Sequence, residues 1–291
     1  MQRFRIYDFN ISANNMKQLI CLFVLFISSL TASAQSYDEW VSKSFDQLDS
    51  DDLEASAESL RSAMRLEPGN PQNFLLLTNL GTLQRRLGQK KEALISYSAG
   101  LGIHPKSITL LENRASLYSE LNEPEKAIND YNYLLIESPH HQEAIYCRGL
   151  LHVQLKNFID AQIDFDALLE LNEKSVRARL GHAILERSRG NYIESQKIYD
   201  YLIGQMPEDY VLYSGRAELF FLMGKNARAM GDMNKVFANS KPEAYDYFLR
   251  GKIKLAQYER ESAQKDFATA KELGYDTEAI EEVLKRTKEE E

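Results

Sequence analysis

Hydrophobic and polar positions along this chain repeat with a period of 34 residues. In Ile108–His140, ITLLENRASLYSELNEPEKAINDYNYLLIESPH, apolar residues recur at helical spacing in two runs separated by a short polar break, which predicts two helices folded back on each other. With Ile108 as position 1, stepping by 34 puts a small residue at position 8 in Gly81, Ala115, Gly149, Ala183, Ala217 and Gly251. Position 20 is small again, in Ala93, Ala127, Ala161, Ser195, Ala229 and Ala263. Position 24 is bulky, in Tyr97, Tyr131, Phe165, Tyr199, Met233 and Phe267. Small residues facing each other let two helices approach closely, and the bulky residue fills the space beside them.

Further residues keep the same register. Leu80-Gly81, Arg148-Gly149 and Arg250-Gly251 stand at positions 7 and 8, Gly88, Gly190 and Gly224 at 15, and Pro105, Pro139 and Pro207 at 32. Together with the period, these residues resemble the tetratricopeptide repeat, from Tyr37 to about Asp276. The resemblance implies an all-α fold, a right-handed superhelical solenoid of about seven helix-turn-helix repeats: 37–70, 74–107, 108–141, 142–175, 176–209, 210–243 and 244–276. Residues 277–291 then form a capping helix and charged tail, with Ile280, Val283 and Leu284 covering the last repeat.

Local signals refine the boundaries. Asp51 with Glu54, and Asn122 with Pro124 and Glu125, read as N-terminal caps of second helices. Gly69 to Gln72 form a longer turn, because Pro68 and Leu80 stand three residues further apart than their later counterparts. The fifth repeat departs most, with Arg179 at position 4, His182 at 7 and Ser195 at 20, and is expected to pack most loosely.

Met16 to Gln35 reads MKQLICLFVLFISSLTASAQ, with one Lys, an apolar run from Leu19 to Leu30, and Ala32-Ser33-Ala34. That order predicts a leader and secretory signal peptide over 1–34, starting at Met16 and cleaved between Ala34 and Gln35. The run is short for a membrane span, so the mature chain is expected to be exported, periplasmic or secreted, with no stable membrane span. No Cys follows the cleavage site, which disfavours a lipoprotein. The formal charge is -8, and removal of Arg3, Arg5, Asp8 and Lys17 leaves -10. An acidic chain without a long basic run argues against nucleic acid as a partner. Of two cysteines, Cys21 falls in the leader, leaving Cys147 without a disulfide partner within one mature molecule.

Candidate chemistry is sparse. Arg at position 7 occurs with Asp at 23 in four repeats: Arg114 with Asp130, Arg148 with Asp164, Arg216 with Asp232 and Arg250 with Asp266. Four copies of one pair point to structural ion pairs. No phosphate loop, nucleophile elbow or metal-ligand spacing is present, so neither an enzyme nor a cofactor is expected. In the family the resemblance names, positions 2, 5, 6, 9, 12 and 13 of the first helices line a concave face. Here that face would carry Asn79, Arg85 and Asn113, followed by an apolar strip of Tyr146, Leu150, Val153, Leu180, Ile184, Phe221 and Leu222. The family's carboxylate clamp needs Lys, Arg and Asn over three successive repeats; Asn79 and Asn113 stand at position 6, but Val41, Phe45, Thr78, Thr82, Thr109, Glu143 and Cys147 hold the other places, and the clamp is not carried over. The resulting expectation is a non-catalytic scaffold of the bacterial envelope that binds another protein or peptide. The alternatives are a regulatory or assembly subunit of an envelope enzyme or export complex, and a glycan or small-ligand binder.

Overall fold

Each helical pair turns over on a left-handed residue, and most pairs begin from a side-chain cap. The computed structural model describes residues 35–289, and the leader and signal peptide expected over 1–34 lie outside them. The described residues form fifteen helices and no strand, packed as consecutive antiparallel pairs. The chain divides after Pro105 into two compact units.

The first unit holds α1 (Tyr37–Asp49), α2 (Leu53–Leu66), α3 (Asn73–Arg86) and α4 (Lys90–Ile103). Ser36 and Glu39 form a capping box at the start of α1, satisfying two backbone N–H groups that the helix leaves free. The longer turn falls over Glu67–Gln72, where Asn73 donates to the Glu67 carbonyl. Leu60, Ala63, Leu76, Leu80 and Leu83 close the core between the two hairpins.

The second unit runs through α5 (Ile108–Glu120), α6 (Pro124–Glu137), α7 (Gln142–Gln154), α8 (Phe158–Leu171), α9 (Val176–Arg189) and α10 (Tyr192–Gln205). It continues with α11 (Tyr210–Leu222), α12 (Asn226–Asn239), α13 (Ala244–Ala256), α14 (Arg260–Glu272) and the single helix α15 (Thr277–Glu289). Ser107, His141, Ser175 and Asp209 accept backbone N–H bonds at the starts of α5, α7, α9 and α11. Ile280 of α15 is buried with Phe248, Phe267 and Ala270, and Tyr275 stacks on Phe248 at 4.3 Å.

The turn inside every repeat corrects the expected caps at Asp51 and Asn122. Both residues have positive φ, 58° and 56°, as do Gly88, Lys156, Gly190, Gly224 and Tyr258, all at position 15. The next N–H reaches back to the carbonyl five residues earlier, as Glu123 does to Tyr118 and Asn157 to His152. This is the Schellman end of the first helix. Position 15 therefore finishes one helix before the next starts. Asp52, one residue later than expected, caps α2 through Ala55 N–H.

Hairpin closure follows the small and bulky positions. The position-20 residues Ala93, Ala127, Ala161, Ser195, Ala229 and Ala263 are all fully buried, and Tyr97, Phe165 and Tyr199 at position 24 are buried with them. A Cβ added at Gly149 would stand 2.6 Å from Phe165, and one added at Gly181 in the next repeat 2.5 Å from the same ring. Phe165 is thus held between two glycines of successive first helices. The expectation of loose packing in the fifth repeat fails at position 20, because the Ser195 hydroxyl donates to the Ala183 carbonyl at 2.7 Å and ties the helices together.

Candidate functional site

The first helices carry the candidate residues on the turns left exposed when position 8 packs against the second helices. In the first unit, Asn79 and Arg85 lie half-buried on α3. Asn79 borders a small cavity of about 100 Å³ floored by Phe45, Leu48 and Leu60. Arg86 beside it reaches Asp51 at 2.9 Å, an exposed pair of small energetic weight.

In the second unit, Asn113 is half-buried on α5, and the apolar candidates are distributed over α7, α9 and α11. Tyr146 and Leu150 pack on the Phe165 core, the two rings 6.1 Å apart. Burial pushes the Tyr146 hydroxyl up to about 12. Leu180, Ile184 and Phe221 also rest partly on the core, while Leu222 is 47% exposed. Val153 is a correction to the expected strip. It is buried in one cluster with Leu168 and Leu185, because α9 packs over α7 at that level. What remains open is a row of half-buried apolar side chains.

Charged residues that the sequence reading missed stitch this row together. Arg177 of α9 pairs with Glu143 of α7 and lies over the Tyr146 ring at 5.7 Å. Arg187 of α9 donates to Glu218 of α11, and the Tyr245 hydroxyl of α13 donates to the same carboxylate. Burial and the Glu218 charge push the Tyr245 hydroxyl far above its ordinary range. Burial likewise raises Tyr199 to about 12. A signal existed in the sequence: Glu143 and Arg177 are one period apart, and Arg187 and Glu218 are 31 residues apart, so opposite charges fall on adjacent first helices.

The repeated ion pairs lie at the junction of first and second helices. Each guanidinium takes its carboxylate with two donors, as in Arg114 to Asp130 at 2.7 and 2.7 Å and Arg148 to Asp164 at 3.1 and 2.6 Å. Arg216 binds Asp232 at 2.8 and 2.8 Å, and Arg250 binds Asp266 at 2.8 and 2.6 Å. The carboxylates are buried and the arginines partly exposed. Burial opposes the Asp266 charge, but donors from Arg250 and Lys254 outweigh it and hold the carboxyl below its ordinary range. Arg148 and Arg216 also reach back to Asn132 and Asp200 of the preceding repeats, at 2.7 and 2.6 Å.

Among the described residues, no helix is long and apolar enough to cross a membrane. Comparison with known proteins places the architecture. The chain is similar to a crystal structure of a tetratricopeptide repeat protein from Parabacteroides merdae ATCC 43184, with 63% identity, a TM-score of 0.83, and coverage of 87% of this chain and 99% of that one. It shares a fold with PilW, described as a widely conserved type IV pilus biogenesis factor, at 22% identity and a TM-score of 0.55 over 73% of this chain and 99% of that one. Tetratricopeptide repeat protein 6 of Homo sapiens is 30% identical over 112 residues, which is 38% of this chain and only 21% of the human protein's length. No sequence-family profile matches the chain.

Proposed function

Because this chain belongs to the tetratricopeptide repeat proteins, whose members generally serve as scaffolds for protein interactions, we propose that it binds an apolar segment of another protein along the first helices of its second unit and performs no chemistry of its own. The observation that carries this reading is the row formed by Tyr146, Leu150, Leu180, Ile184, Phe221 and Leu222. Of the charges near it, Glu143 and Arg177 pair with each other, as do Arg187 and Glu218, and Lys252 lies over the Phe221 ring at 5.1 Å, so most of the row offers an apolar segment little competing demand for ion pairing. Such a partner buries side chains already half withdrawn from water, and aromatic residues are favoured anchors for that contact. In this reading Asn79 and Asn113 contact polar parts of the partner, each within its own unit.

The proposed place of work is the bacterial envelope. Its support is the Lys17, Leu19–Leu30 and Ala32-Ser33-Ala34 order, which suits export and a mature start at Gln35. The test combines both points. A photo-crosslinking side chain is placed at Leu150, at Leu222 and, as an outward control, at Ile163, in cells carrying the full chain. Export is read by intact mass. Cross-links to one envelope protein from Leu150 and Leu222, with none from Ile163, are expected. Cross-links from Ile163 alone would overturn the reading, and a chain recovered only from cytoplasm would overturn the location.

A further inference from the structure

The fifth repeat breaks the pattern at three positions, and all three breaks meet in one place. Position 4 is a large apolar residue in the other repeats, Trp40, Leu77, Leu111, Ile145, Tyr213 and Tyr247, but Arg179 in the fifth. Position 7 is His182 where four repeats have Arg, and position 23 is Ile198 where those four have Asp. Together Arg179, His182 and Ile198 line a cavity of about 290 Å³ within the second unit. The space follows from the substitutions. No guanidinium–carboxylate pair spans α9 and α10 here, and no apolar plug stands at position 4.

The lining has two characters. Leu169, Ile198 and the Tyr201 ring are apolar, and Arg179 lies over that ring at 5.3 Å. Arg179 spends one donor on the Glu173 carbonyl at 2.8 Å and keeps the rest of its guanidinium for another acceptor. Lys197 stands at the rim, paired with Glu194 at 2.9 Å, with both side chains more than half exposed, so this partner is readily exchanged. His182 Nε2 is buried 3.0 Å from Asp166 Oδ1 but is not aligned for a hydrogen bond with it. A buried polar atom without a hydrogen bond costs stability unless something else satisfies it. Departures from an otherwise regular pattern that create such a cost are characteristic of working sites.

We infer that this cavity is a binding site for a compact apolar carboxylate, its body on Leu169, Ile198 and Tyr201 and its charge on Arg179 and Lys197. Lys197 is already paired with Glu194 and the Asp166 carboxylate stands 3.0 Å from His182, so the preference for an anion rests on Arg179, whose guanidinium has donors to spare and no carboxylate partner among the described residues. The volume suits a group the size of one aromatic side chain and its carboxylate. The same chemistry could come from a free small acid or from the C-terminal residue of a partner. The site shares no residue with the row of the proposed function, so the two readings stand or fall separately.

The test uses the isotopically labelled full chain and follows resonances of Leu169, His182 and Ile198 during titration with phenylacetate and with neutral phenylacetamide. Saturable shifts with phenylacetate, and binding of the amide weaker by about tenfold or more, are expected. The double variant H182R/I198D restores the pair of the neighbouring repeats, and Arg179→Leu restores their apolar plug. Each should abolish binding with helicity retained, and the second keeps the test open if the first does not fold. A peptide with a free C-terminal phenylalanine identifies the source: tighter binding than phenylacetate assigns the group to a chain end, and weaker binding assigns it to a free acid. The inference is overturned by an absence of saturable shifts, by equal binding of acid and amide, or by binding that persists in folded H182R/I198D.

Discussion

In the fourth repeat Phe165 lies against Gly149 and the buried Ala161, Arg148 holds Asp164, and Ile145 plugs the outer end of the hairpin. The fifth keeps only the first of these arrangements: Tyr199 is buried beside Ala183 and Ser195, while Arg179, His182 and Ile198 replace the plug and the pair. Both helical pairs nevertheless close. The difference separates two layers of the design. Positions 8, 20 and 24 make a hairpin, and positions 4, 7 and 23 add strength: the first two repeats, with Lys43/Ser59 and Leu80/Ser96, do without the pair, and the fifth does without both the pair and the plug.

The sharpest way to break this comparison is to remove the shared layer. Phe165→Ala and Tyr199→Ala should each destabilise the second unit by ~3–5 kcal/mol, the usual cost of truncating a buried ring. Urea melts of the two variants should agree within their error. If Tyr199→Ala costs far less, the fifth hairpin is held by something other than its ring.

Removing the layer that differs has a smaller effect. Asp164→Ala leaves the Arg148 guanidinium unpaired, and loss of one partner from a buried pair costs ~3 kcal/mol. Arg148 remains 23% exposed and can recruit water, which sets the result toward the low side. Replacing both residues with apolar ones should recover much of the loss, because the desolvation penalty goes with the charges. A melt of Asp164→Ala equal to wild type would show that these pairs contribute nothing to either repeat.

The smallest effect concerns the turn. Lys156 and Gly190 are equivalent, with φ of 60° and 85°, and only glycine adopts that conformation without steric cost. Lys156→Gly should stabilise by ~0.5–1 kcal/mol, and Gly190→Lys should destabilise by about 1 kcal/mol. Thermal denaturation resolves both signs. Equal signs would mean that the side chain at Lys156 contributes a contact that offsets the strain.

Contacts made within one period were legible in the sequence. The facing of Ala161 and Gly149, and the alternation of Arg148 with Asp164, need only a helical ruler and a repeat length. Contacts between periods were legible only where opposite charges stand about one period apart, as in Glu143 and Arg177. Val153 falls on the inner line by register, but its burial depends on how closely α9 approaches α7, a distance set by packing rather than by local pattern. Asp51 and Asn122 misled for a related reason. Their short polar side chains suit a cap and also tolerate the left-handed region, and the helix on either side decides between the two. The three departures of the fifth repeat were visible one at a time, but their convergence on one cavity required the fold.

Phe165 belongs to one copy of the pattern but is seated by glycines belonging to two copies, Gly149 and Gly181. Substitution at any of the three is therefore felt by the other two, and the atoms nearest to a side chain added at Gly181 belong to a ring in the preceding copy. Seen as inheritance, the module that must vary together is out of phase with the sequence repeat. It starts in the first helix of one copy, passes through its second helix and ends in the first helix of the next. A comparison of descendants copy by copy would divide every such module in two, and Gly181 would look like an arbitrary choice.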